Sequence, residues 1–243
     1  MSAPLALVTG GGRGIGAAIC ERLAADGYRV LLTYHTSSRP AEEVVGKILA
    51  SGSDAVAVKV DCSDIGEVGL LEDHPWIKAG LDILILNHGR YDRIAAEQLD
   101  VQSLRRTMET NFEGSFLVWH SVQNFLSKDA RIVAIGSQLG TRGSPHGADY
   151  SASKAALHAW ARSLAQAVGP NGQRVNIIAP GYVDTDILAG DTPEKRKQRE
   201  SEVPLRRIGL PEDIANVVSF LCSTDSAYVN GAVIHVNGGL YLP

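Results

Sequence analysis

Short apolar runs alternate with amphipathic stretches along the whole chain. Leu5-Ala6-Leu7-Val8-Thr9 is an apolar run that ends in glycines, which predicts a buried parallel strand. Ile15, Ala18, Ile19, Arg22 and Leu23 then recur at helical spacing as far as Gly27, and a second strand over 28–34 completes a β-α-β unit. A helix over 41–51 leads to a third strand over 55–60. The fourth strand is 81–87, followed by a helix over 103–126, a fifth strand over 131–135 and a helix over 148–168 that contains neither Pro nor Gly. A sixth strand over 174–179 stops at Pro180-Gly181. A helix over 211–221 has Pro near its first position, and a seventh strand covers 232–236. No repeat, low-complexity tract or linker interrupts the alternation. The pattern predicts one α/β domain over 1–243, doubly wound about a parallel sheet with helices on both faces.

Composition narrows the field. A chain of 243 residues with 44% hydrophobic content suits one large domain. The net charge of -4 gives no electrostatic case for nucleic acid or an anionic membrane. Cys20, Cys62 and Cys222 are odd in number and far apart, so neither a disulfide framework nor a zinc site is expected, and a reducing, cytoplasmic setting fits. The seven histidines form no H-x-x-x-H pattern, so no metal is expected. Met1-Ser2-Ala3-Pro4 leads straight into an apolar run, without the basic and apolar regions of a secretory signal.

Two stretches carry candidate chemistry. Gly10-Gly11-Gly12-Arg13-Gly14-Ile15-Gly16 lies between the first strand and the first helix. Glycines there permit a tight turn and close backbone approach, and the helix N-terminus offers free N–H groups to a pyrophosphate. Tyr150 and Lys154 stand four residues apart on a helix, so they share a face. A nearby cation favours phenolate over phenol, and work near neutrality needs the tyrosine lowered by about three pH units, roughly 4 kcal/mol. Such a pair is a proton donor and acceptor for alcohol–ketone interconversion.

Cofactor choice is set at the end of the second strand, where an acidic residue would hold a ribose 2′-hydroxyl. Here the segment is Tyr34-His35-Thr36-Ser37-Ser38-Arg39, with no acid before Glu42. Arg13, Arg39 and the hydroxyls can receive a 2′-phosphate instead, which predicts NADP(H) with Tyr34, His35 and Ser37 in contact.

Taken together, Thr9-Gly10 with Gly14-Ile15-Gly16, Asn87-His88-Gly89, Asn111, Ser137, Tyr150 with Lys154, and Pro180-Gly181 resemble the short-chain dehydrogenase/reductase family over nearly the whole chain. The stretches 203–209 and 235–241 resemble its 3-oxoacyl-[acyl-carrier-protein] reductase branch. The resemblance implies a Rossmann domain with a seven-stranded sheet. It also implies that Tyr150 donates a proton to the carbonyl oxygen and Ser137 hydrogen-bonds the same oxygen. Lys154 would lower the tyrosine's pKa and hold the nicotinamide ribose, and Asn111 would hold a water that relays protons to Lys154. Gly10, Gly12, Arg13, Gly14, Ile15 and Gly16 would cradle the phosphates. Asp61, with Cys62 beside it, would meet adenine, and Asn87 and Gly89 would support the adenosine side. Pro180, Gly181, Val183 and Thr185 would line the nicotinamide.

The chain departs from the family at His88, bulkier and more polar than the usual residue; it either alters the nicotinamide pocket or packs as an ordinary histidine. Asn171 stands where a carrier-protein reductase has a basic docking residue, while Lys128 keeps the other charge. Arg142, His146 and Asp149 fall where the family lines its substrate site. The charged stretch 191–202 reads either as a solvated helix face or, within 183–210, as a substrate lid. Ala152, Ala155 and Ala159 lie where family members pair into homotetramers. The leading expectation is an NADPH-dependent carbonyl reductase acting on a small carbonyl or acyl-thioester substrate. The alternatives are a dehydrogenase of a sugar, polyol or secondary-metabolite alcohol, and an NADP-sensing binding protein on the same fold.

Overall fold

Every apolar run read as a strand forms one; the central strands are buried, and the two strands at the edges of the sheet are half-buried. The structure, a computed structural model, describes residues 3–243; Met1 and Ser2, from the opening considered above for a secretory signal, lie outside them. Seven strands are described: β1 (Leu5–Val8), β2 (Arg29–Tyr34), β3 (Ala55–Lys59), β4 (Leu81–Leu86), β5 (Leu126–Ile135), β6 (Arg174–Pro180) and β7 (Val233–Val236). They form one sheet in the order β3-β2-β1-β4-β5-β6-β7 with every pairing parallel. The order reverses between β1 and β4, which opens a crevice at the carboxyl ends of those strands, where open α/β sheets bind ligands.

Successive residues of a strand point to opposite faces, and β1 shows it directly. Ala6 and Val8 join the core beneath α1 (Gly14–Ala25), α2 (Ser38–Ala50) and, later in the chain, α10 (Pro211–Cys222). Leu5 and Leu7 join the opposite core, with the short helices α3 (Ile65–Gly69) and α4 (Pro75–Lys78) and the longer α6 (Gly114–Val122) and α8 (Ala148–Val168). The remaining helices are α5 (Val101–Met108), α7 (Leu139–Arg142) and α9 (Pro193–Glu202).

Three expectations are refined. The helix expected over 103–126 is α5 and α6 joined by one π turn, Glu109–Glu113, and it ends before Leu126. β5 begins at Leu126 rather than 131, because Leu126 pairs with Leu81 before the register shifts and resumes at Ile83 with Arg131. Its polar first half, Ser127-Lys128-Asp129, hides that start from an apolar pattern. The charged stretch is the helix α9, and its Arg199 is buried rather than solvated.

Arg174 joins the sheet to the last helix. Its guanidinium donates to the carbonyls of Leu221, Ser223, Ser226 and Val229 at 2.8–3.3 Å, collecting main-chain acceptors in the last turn of α10 and just past it. Arg174→Met leaves those acceptors without the donor and should lower unfolding free energy by about 2–3 kcal/mol. Arg174→Lys should recover less than half of the loss, because an ammonium cannot span the same fork. Urea denaturation of the three proteins measures both.

Candidate active site

The crevice at the strand ends is a cleft of about 1120 Å3. Its floor begins at the glycine turn. Gly10 and Gly14 hold φ of 63° and 52°, the left-handed region that favours glycine. A Cβ at Gly16 would stand 2.2 Å from the Gly10 carbonyl oxygen, so the turn closes only with glycine there. Arg13 precedes α1 without a side-chain cap, which leaves the first-turn amides available to a ligand. Asn87 fixes the turn to β4, donating from Nδ2 to the Thr9 and Gly10 carbonyls at 3.0 Å each. A hollow walled by free amides and forbidden to side chains fits a dinucleotide pyrophosphate.

Tyr34, His35 and Ser37, at and just past the end of β2, line one end of the cleft with Asp61 and Cys62. Asp61 accepts from the amide and hydroxyl of Ser63 at 2.9 and 2.7 Å and faces His35 at 3.5 Å. Burial pushes its pKa up, but those contacts outweigh it and hold the carboxyl below the usual range. Arg13 lies on the lining and pairs with Asp186 at 2.9 Å. Arg39 does not reach the cleft: it pairs with Glu43 one turn along α2, at 3.0 Å and largely in solvent. The expectation for Arg39 is corrected accordingly, since the chain turns into α2 at Ser38 and carries it away from the mouth.

At the other end α8 presents Tyr150 and Lys154 to the cleft, as their spacing predicts. Ser137, just past β5, lines the cleft with Tyr150, and its hydroxyl accepts from the Leu139 amide at 3.1 Å. The Lys154 ammonium is buried and donates to the Ile135 carbonyl at 2.8 Å, passing 5.7 Å from the centre of the Tyr150 ring. Burial lowers its pKa to about 8. The expected lowering of Tyr150 is not found. Burial raises it to about 12, the Ser137 hydrogen bond opposing and Tyr91 adding. The amine reaches past the ring to a strand carbonyl, not to the phenolic oxygen.

Asn111 sits on the π turn, wholly buried. Its Nδ2 donates to the Arg90 carbonyl at 3.0 Å and to Ser153 Oγ at 2.9 Å, and its Oδ1 accepts from the Arg90 amide at 2.8 Å. A Cβ on Gly89 would lie 3.2 Å from Asn111 Oδ1 and 3.5 Å from Lys154 Nζ, so both groups border one small space. His88 is a packed histidine on the cleft wall. Thr9 Oγ1 receives the Asn87 and His88 amides at 2.9 and 3.3 Å, donates to the Ile85 carbonyl at 3.2 Å, and lies 2.7 Å from His88 Nδ1. Burial and Lys154 lower His88 to about 4, which keeps it neutral. Pro180, Gly181, Val183 and Thr185 all border the cleft beyond β6. Asp149 does not: it is buried behind the wall, accepting from Thr107 Oγ1 at 2.6 Å.

A family model described as enoyl-(acyl carrier protein) reductase matches residues 10–241. The chain belongs to the short-chain dehydrogenase/reductase family. It is 36% identical over 241 residues to the 3-oxoacyl-[acyl-carrier-protein] reductase of Escherichia coli, covering 98% of this chain and 97% of that one. The structure matches a short-chain dehydrogenase from Burkholderia cenocepacia in complex with NADP with a TM-score of 0.91 and 37% identity, over 98% and 97% of the two chains. A blue fluorescent protein from a metagenomic library in complex with NADPH matches with a TM-score of 0.92 and 33% identity, over 98% of each chain. The protein is thus a nicotinamide-dependent oxidoreductase of this family.

Three side chains at the centre of this reductase's site escaped the sequence reading. Tyr91 packs on Tyr150 with ring centres 4.6 Å apart. Ser153 holds Asn111 and donates back to the Tyr150 carbonyl at 2.8 Å. His158 fills the space left by Gly136 and Gly140, with Nε2 3.4 Å from the Ser137 amide. Only the glycine spacing around Ser137 signals the last of these.

Burying the Lys154 charge has a testable consequence. Below pH 8 the lysine is charged in both folded and unfolded chains, and its burial penalty, about 3 kcal/mol for a fall from 10.5 to about 8, is present in full. Between pH 8 and 10.5 the folded protein has lost a proton that the unfolded chain keeps, so this group's contribution to stability rises with pH. Lys154→Met should therefore be the more stable protein at pH 7, net of the unpaired Ile135 carbonyl. Its advantage should shrink between pH 8 and 10, read from urea midpoints of the unliganded proteins.

Proposed function

We propose that the protein is an NADPH-dependent carbonyl reductase interconverting a ketone and a secondary alcohol, with a 3-oxoacyl thioester or a related carbonyl as substrate. The observation that carries this reading is the meeting of two hydroxyls, Ser137 and Tyr150, at the cleft floor, backed by a buried ammonium. Two hydroxyl donors converging on one position suit a single carbonyl oxygen.

When bound, the nicotinamide supplies a hydride to the carbonyl carbon. Ser137 holds the oxygen in place and stabilises the charge that builds on it. Tyr150 gives the oxygen its proton. Its raised pKa suits that role: the phenol arrives protonated, and an alkoxide is a far stronger base than a phenolate. Lys154 supplies positive charge beneath the ring and a donor toward the ribose. Asn111 and Lys154 border the space where a water would pass the replacement proton to Tyr150. The glycine turn from Gly10 to Gly16 binds the phosphates.

NADPH is favoured over NADH by the absence of an acid among Tyr34, His35, Thr36 and Ser37, and by the cofactors bound to the two structural relatives. Arg13 supports it too: its exposed pair with Asp186 is worth at most about 1 kcal/mol, so exchange for a phosphate is easy. We propose residues 183–210 as a substrate lid, because Val183 and Gly209 bridge as neighbouring strands and pin both ends of the excursion. The exposed small residues Ala152, Ala155 and Ala159 on α8 favour a homotetramer. Three buried unpaired cysteines favour the cytoplasm, and no described helix is long and apolar enough to cross a membrane.

Tyr150→Phe should cut turnover at least about 100-fold while NADPH still raises the thermal midpoint. Assay of NADPH and NADH oxidation against a 3-oxoacyl thioester, keto acids, quinones and sugars tests the rest. Turnover of sugars alone, with NADH, would replace this reading by a sugar dehydrogenase; binding without turnover of any carbonyl would favour a sensor.

A further inference from the structure

Beside the main cleft lies a recess of about 270 Å3 bounded by Tyr91, Arg93, Ile187, Gly190, Asp191 and Lys195. Tyr91, Arg93, Ile187 and Lys195 also line the cleft, so the two spaces communicate. Tyr91 packs against Tyr150 and anchors its hydroxyl on the His146 carbonyl at 2.9 Å. The recess therefore begins one aromatic ring away from the Tyr150 side chain.

Its charges do not balance. Asp191 is its only acid among the described residues, with a side chain 4% exposed, and it faces three cations. Arg199 grips both carboxylate oxygens, is nearly as buried, and lies 4.5 Å over the Tyr182 ring. Arg93 at 3.7 Å and Lys195 at 4.0 Å are beyond hydrogen-bonding distance and remain 39% and 50% exposed. Farther along the cleft wall Arg142 has no acidic partner among the described residues. Against these the described cleft lining offers Glu109, Asp186, which is already paired with Arg13, and Asp61 at the far end beside His35. A surplus of cations in a recess of a chain with net charge -4 attracts anions and orients them.

We propose that this recess is an anion subsite. It takes a carboxylate or phosphate group carried by the substrate, with Arg93 and Lys195 as the binding residues. Tyr91 packs on the carbon chain between that group and the carbonyl. The inference rests on the carbonyl-reductase reading and names the substrate class within it: ketones bearing a negative group, in preference to neutral ketones and sugars.

The test compares matched substrates. Levulinate against methyl levulinate removes only a carboxylate charge. Acetoacetyl-coenzyme A against the acetoacetyl N-acetylcysteamine thioester removes the phosphates. In one pair the anionic member should be favoured in kcat/KM by roughly tenfold, as a charge-assisted hydrogen bond allows. The first pair identifies a carboxylate and the second a phosphate. Arg93→Met and Lys195→Met should each shrink that ratio, Arg93→Lys should keep most of it, and added salt should reduce it in the wild type. A ratio near one in both pairs, or one unaltered by both Met variants, overturns the subsite even if every ketone is reduced. If none of the four is reduced, the carbonyl-reductase reading fails and binding decides instead. A thermal midpoint raised by levulinate or inorganic phosphate in the wild type, and not in Arg93→Met, upholds the subsite. Equal shifts or none refute it.

Discussion

A single buried ammonium sets the conditions for its neighbours. Lys154 lies at 3% exposure beneath the carboxyl ends of the central strands, and its one hydrogen-bond partner among the described residues is a neutral carbonyl. Its field reaches two histidines. Burial is the larger influence on both, and Lys154 adds to it, so His88 and His158 are held neutral, each at about 4. Neutral imidazoles keep a lone pair. Nε2 of His158 uses one to accept from the Ser137 amide at 3.4 Å, while His88 Nδ1 lies 2.7 Å from the Thr9 hydroxyl. A protonated His158 would set a donor against the Ser137 amide, and either ring, once charged, would meet the like charge of Lys154.

That cation is kept in place by backbone geometry, not by counter-charge. Gly136 and Gly140 have no room for a Cβ, because His158 would be struck at 2.1 and 2.9 Å. The imidazole can therefore sit under the β5–α7 turn and steady Ser137. On the opposite wall the π turn brings Asn111 inward, where Arg90 and Ser153 hold both ends of its amide. Three elements distant in sequence thus converge on one small volume, each through a local irregularity: a glycine pair, an extra residue in a helical turn, and the end of a strand.

The regular parts of the molecule were legible from the sequence, since burial on two faces writes itself as short apolar runs. All seven strands and the α8 helix were found at nearly their observed places. The start of β5 was not, because its first residues pair at the sheet's lower edge where polar side chains are tolerated. The site was legible where spacing alone places a group, as for Tyr150 and Lys154. It was not legible where direction matters. Four residues along a helix brings an amine near a phenol, but whether it points to the oxygen or past the ring depends on the strand carbonyl waiting below. Arg39 failed for a similar reason: a residue just after β2 could face the cleft, and the early start of α2 turned it to Glu43.

The proposed lid has an uneven grip, and that limits how it could move. Its deeper part carries Leu188, Arg199, Val203 and Ile208, all buried, with Arg199 clamped to Asp191. Breaking that pair would strand a buried charge, which is costly. Its outer part is different. Arg13 and Asp186 are 65% and 71% exposed, Ile187 is 57% exposed, and Thr185 lies beside the bare Gly14, where a Cβ would stand 3.2 Å from its methyl. Water can replace those contacts at little cost. Opening would therefore be a local excursion of residues 185–187 ahead of the anchored Leu188 and a fixed α9, not a swing of the whole segment. The mouth would gate the dinucleotide side of the cleft, while Asp191, Arg199 and the neighbouring cations stayed in place.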